Sequence, residues 1–78
     1  MKTTEELLSR AIEETKLLEM NEIFLVKDLF KGYEWNRIAK NDRLLLGILF
    51  LRHVQTSVNH IEAIEKTSSG QQKYKVIG

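Results

Sequence analysis

Three consecutive side chains near the C-terminus, Lys73, Tyr74 and Lys75, suggest a clear chemistry. Ammonium groups attract phosphates, and a ring between them offers a face on which a base can stack. Neighbouring strand residues point to opposite sides, so Tyr74 can equally turn inward while the lysines face water. Lys66 lies across the intervening turn and adds a third cation. Gln71 and Gln72, next to Ser68 and Ser69, offer hydrogen-bonding groups. Those groups distinguish neither DNA from RNA nor nucleic acid from protein. The plain alternative is a solvated hairpin kept soluble by lysine.

Further candidates lie upstream. Lys40 and Arg43 flank the start of the most apolar helical segment, where unpaired backbone N–H groups favour phosphate. Asp42 opposes this unless it caps the helix or points away. Arg52 projects near the far end of the same segment. Reaction chemistry is poorly represented. His53 and His60 lie seven residues apart across an element boundary, with no spaced carboxylates or cysteines to complete a metal site. Glu62 and Glu65 read as solvated charges. Gly32, Gly47 and Gly70 are isolated and form no phosphate loop. The expectation is a non-enzyme with no cofactor and no metal.

These side chains must be positioned by one small domain of 78 residues, spanning 1–78. Cysteine is absent, so there is no disulfide framework. No run reaches the length of a membrane span and the start does not resemble a signal peptide, so a cytoplasmic protein is expected. Net charge is only +1, but it is unevenly distributed. Residues 1–26 carry three basic and six acidic side chains, and residues 27–78 carry nine and five. That asymmetry permits a basic face.

Thr3 and Glu6 suit a capping box, and Leu7, Leu8, Ala11, Ile12, Thr15 and Leu18 follow helical spacing, predicting a support helix over 4–20. Asn21 is expected to close it, with Met20 as core filling. Residues 22–26, EIFLV, suit a short strand. A helical turn follows at 27–30, Gly32 is expected to break or sharply turn the chain, and Tyr33 to Ile38 resume a helix. Asn41 and Asp42 offer a cap for a helix over 42–54. Its apolar residues run nearly all round, so it should be central, with Gly47 allowing a close neighbour. Residues 56–59 read as an exit. Two strands, Ile61 to Lys66 and Lys73 to Ile77, then flank a turn in which Gly70 can take positive φ. Ile61 and Ala63 would share one face, and Glu62, Ile64 and Lys66 the other. The whole is α+β, compatible with a winged helix-turn-helix having an N-terminal support helix and a C-terminal β-hairpin wing.

The segments FLVKDLFKGYEWNRI, RLLLGILFLRHV and IEKTSSGQQKYKVI carry a more specific likeness. Over residues 20–77 the chain resembles a small family first catalogued as a domain of unknown function. Its members occur in Gram-positive bacteria, plasmids, phages and staphylococcal cassette chromosome elements. The resemblance implies a winged helix-turn-helix, single-stranded DNA binding in mobile-element DNA maintenance, and a hydrophobic pocket. The matching pocket aromatics are Phe24, Phe30, Tyr33 and Trp35. The long C-terminal tail of larger relatives finds no match here, so tail-based recruitment is not expected. Nucleic acid, single-stranded DNA first, is the expected partner, with a homodimer and a protein partner left open and no membrane. A duplex-binding transcriptional regulator and a protein-interaction adaptor stand as alternatives.

Overall fold

Thr3 sets the first helix. Its hydroxyl accepts the Glu6 N–H at 3.2 Å, and Glu5 and Glu6 place negative charge on the first turn, where the helix dipole favours it. In the computed structural model, which describes residues 3–57 and 60–78, α1 (Thr4–Thr15) buries Leu7, Ala11 and Thr15 along one stripe. The helix stops short of residue 20. Lys16 takes the C-cap, and Asn21 adopts a φ of 73°, a left-handed turn that asparagine tolerates. Asn21 therefore steers the chain into the sheet instead of capping α1. Met20 is exposed and fills no core.

The apolar run 22–26 yields β1 (Ile23–Phe24). A 3-10 turn follows at Val26–Leu29, held by the Asp28 carboxylate, which accepts the Leu25 N–H at 2.9 Å. The break falls just before Gly32, at Phe30 and Lys31, both extended. Gly32 is the first residue of α2 (Gly32–Arg37), and the Lys31 N–H before it donates to Glu34 at 3.3 Å. Helix α3 (Lys40–Ser57) starts before the expected cap, so Asn41 and Asp42 sit in its first turn, and the Arg43 N–H reaches the Ala39 carbonyl at 3.0 Å. The expected exit at 56–59 is displaced, because α3 still includes Thr56. Val58 and Asn59 lie outside the described residues.

The hairpin consists of β2 (Ile61–Lys66) and β3 (Gln72–Val76), and β1 pairs with the other edge of β3, giving an antiparallel sheet of order β1-β3-β2. Gly70 takes a φ of 88° in the turn, and the Thr67 hydroxyl accepts the Gln71 N–H at 3.1 Å. Leu46, Phe50 and Val54 of α3 pack with Leu7 and Ala11 of α1 and with Phe24, Ile61, Tyr74 and Val76 of the sheet. Tyr74 stacks on Phe24 with ring centres 5.6 Å apart and meets Phe50 edge-on at 4.9 Å. Helix, strand, helix, helix and hairpin make an α+β winged helix-turn-helix, with α1 as support and the hairpin as wing.

One expectation about α3 fails in a useful way. The helix is not buried all round: Leu44 and Ile48 are 60% and 58% exposed. The buried stripe runs through Leu46, Phe50 and Val54. A short support helix and a three-stranded sheet cover that side, and the opposite side stays open beside the wing.

Candidate functional site

The site is shaped by one extra residue in β2. Ala63 lies opposite Tyr74 and Lys66 lies opposite Gln72, so β2 spends three steps where β3 spends two. Such a bulge reverses the facing of every later side chain. Lys66 thereby joins Gln72 and Tyr74 on the inner face of the wing, not Glu62 on the outer face as strict alternation predicts. Gln72 supports the bulge, since its side-chain amide donates to the Ile64 carbonyl and, at 3.0 Å, to that of Lys73.

Between the inner face of the wing and the open side of α3 lies a groove of about 520 Å³. Leu44, Gly47, Ile48 and Leu51 of α3 form its apolar wall, with Leu25 and Val26 from the entry to the 3-10 turn. Gly47 admits no close neighbour, since a β-carbon there would meet nothing within 4 Å. Its bare side widens the groove. Trp35 adds aromatic surface, Tyr74 closes the floor from the core, and Gly70, Gln71 and Gln72 contribute from the wing. Four cations, Lys27, Lys40, Arg43 and Lys66, line it, and the described lining residues include no carboxylate. Arg43 is held in place. Its Nε donates to the Ile38 carbonyl at 2.9 Å, and its guanidinium carbon lies 5.8 Å from the centre of the Trp35 ring.

The structure thus brings together Lys40, Arg43, Lys66, Gln71, Gln72 and Trp35 from among the expected site residues. Tyr74 is a correction. It is only 1% exposed and its ring is enclosed by Phe24 and Phe50, so it touches the groove from the core and has no free face for a base. Burial pushes its hydroxyl pKa up to about 12. Lys73 and Lys75 alternate with Tyr74 and therefore lie on the outer face of the sheet. There Lys73 bonds Glu65 at 2.8 Å, holding that carboxyl below its usual range, and Lys75 lies opposite Glu62. Arg52 is exposed one helical turn beyond Ile48, on the same side of α3 but past the groove.

The expected aromatic pocket is dispersed. Phe24 belongs to the core. Tyr33 is exposed, with the Arg37 guanidinium 5.1 Å from its ring centre. Phe30 contacts Trp35 at 5.8 Å but lines a different cavity, of about 400 Å³, between α1, α2 and the start of α3. In that cavity Arg10 makes a two-pronged bond to Glu34, which raises the arginine pKa, and Arg37 and Asp42 also line it. The groove side chains that sequence reading missed are Leu25, Val26, Lys27, Leu44, Ile48 and Leu51. Leu44 and Ile48 had a signal: they repeat four apart on the side of α3 opposite Leu46 and Phe50.

Among the described residues no group of three or more histidine, cysteine or acidic side chains gathers as a metal site, and no helix is long and apolar enough to cross a membrane. No curated protein matches the sequence. A solved structure described as the SCCmec type IV nucleic acids binding protein LP1413 superposes with a TM-score of 0.76 at 22% identity, covering 100% of this chain and 91% of that one. At that identity the likeness establishes a shared fold. Residues 9–75 match the family described as DUF1413, a domain of unknown function, and the chain belongs to that family.

Proposed function

We propose that this protein is a non-catalytic module that binds single-stranded DNA in the groove between α3 and the wing. The observation that carries the reading is the grouping of Lys27, Lys40, Arg43 and Lys66 around an apolar wall without a lining carboxylate. Phosphates seek the cations, and unpaired bases have apolar faces that such a wall can cover. A duplex reader needs polar side chains on the outward face of its recognition helix to address base edges. Here that face presents Leu44, Leu45 and Ile48, all exposed. The SCCmec type IV relative, described as binding nucleic acids, supports nucleic acid as the ligand class, and we place the module in mobile-element DNA maintenance as part of the same proposal.

The test is fluorescence anisotropy with labelled single-stranded and duplex oligonucleotides of equal length, at low and raised salt. The single strand should bind more tightly, and salt should weaken it. Preference for a palindromic duplex would establish the regulator instead. Absence of any binding at low salt would leave the adaptor reading standing.

A further inference from the structure

We infer that Arg43, laid against Trp35, is a stacking platform for one nucleobase and not merely a phosphate contact. The inference rests on the single-strand reading of the groove and names the residue that would distinguish bases from bare backbone.

Arg43 is half-buried, lines the groove, and is restrained at two points. Its Nε bond to the Ile38 carbonyl fixes the plane of the guanidinium, and Trp35 lies behind it. Phe30 in turn contacts Trp35, with ring centres 5.8 Å apart. Phe30, Trp35 and Arg43 therefore run in contact from the core to the groove, with the two rings tilted 36° to each other. Lys40 and Lys66, by contrast, are exposed cations whose ammonium groups have no plane to present. A guanidinium plane takes a base on its face much as an aromatic ring does, whereas an ammonium is only a point charge. The groove also offers Leu44 and Ile48 to cover the base from the α3 side. Trp35 is a positioning residue here, since it acts through Arg43.

The chain contains one tryptophan, so its fluorescence reports on this series of contacts alone. The experiment compares an oligothymidylate with an abasic oligomer of the same length, using the full chain. The oligothymidylate should bind more tightly and alter Trp35 emission, while the abasic oligomer should bind through charge with little change in emission. Arg43→Lys keeps the charge and removes the plane. It should weaken oligothymidylate binding about tenfold, the order expected for loss of one stacked base, and leave abasic binding and the salt dependence unchanged. Arg43→Gln does the reverse, keeping a planar group without charge, and should retain the preference for the intact oligomer. Arg43→Lys binding both oligomers like the parent, or losing equally on both with an unchanged melting temperature, would overturn the platform. If the parent bound neither oligomer at low salt, the single-strand reading would fail first and this inference with it.

Discussion

Two sets of lysines compete for the role of phosphate contact, and salt dependence separates them. Lys66 lies on the groove side of the wing, while Lys73 and Lys75 lie on the outer face beside Glu65 and Glu62. For single strands the slope of log affinity against log salt is about −0.7 for each phosphate neutralised. If all four groove cations engage, the slope is about −2.8 and affinity falls about 50-fold over a fourfold rise in salt. Lys66→Ala should flatten the slope to about −2.1, a fall of about 20-fold over the same range. The double variant Lys73→Ala, Lys75→Ala should keep the parental slope. Anisotropy titrations of a labelled single strand across a salt series measure both, with melting temperatures confirming that the variants fold. If the double variant flattened the slope and Lys66→Ala did not, the bulge argument would be wrong, and the strand would run over the outer face of the wing.

Two further outcomes follow from the fold itself. Gly47→Ala should stabilise the protein by about 1 kcal/mol, since the added methyl meets nothing within 4 Å and helix propensity alone decides. The melting temperature should rise by about 4–8 °C in a domain of this size, and a fall would show that Gly47 does serve a close contact. Tyr74, with its hydroxyl pKa raised to about 12, should make stability sensitive to alkali. The folded state holds the phenol proton more tightly than the unfolded chain, whose tyrosine titrates near 10. Its contribution is complete below pH 10 and is lost as pH rises through 12, by about 3 kcal/mol in total. Chemical denaturation from pH 9 to 12 should show a smaller alkaline loss in Tyr74→Phe than in the parent, and equal losses would exclude Tyr74 as the cause.

The order of elements was legible because it depends on local pattern: the Thr3 cap, the apolar spacing of α1, the polar turn around Gly70. Family membership was legible from the spacing of KDLF, the tryptophan, LLLG and KTSSGQQKY. What escaped sequence reading was facing. Period-2 alternation through β2 puts Lys66 with Glu62, and only the pairing of Lys66 with Gln72 reveals the bulge that turns it inward. Tyr74 had two equal faces to choose from, and the size of the core around Phe24 and Phe50 decided it. The apolar run of α3 suggested burial on all sides, yet too few elements exist to cover the side bearing Leu44 and Ile48. Those misreadings share a cause, since each depends on what the rest of the chain leaves uncovered.

A net charge of +1 is no obstacle to a groove with four cations, because no carboxylate is among its described lining residues and several acids are engaged elsewhere. Glu34 holds Arg10 and the Lys31 N–H, Asp28 holds the Leu25 N–H, and Glu22 accepts the Glu19 N–H. Glu13 pairs with Lys16, and Glu65 with Lys73. None of these carboxylates lines the groove. The caps that start the 3-10 turn and α2 thus serve two purposes at once. They satisfy backbone N–H groups, and they turn negative charge away from the face that Lys27, Lys40, Arg43 and Lys66 share. The field in the groove is then set by local composition and not by the net charge of the chain. Lys73 is the instructive contrast, because its bond to Glu65 leaves the outer face of the wing near neutrality while the inner face stays basic.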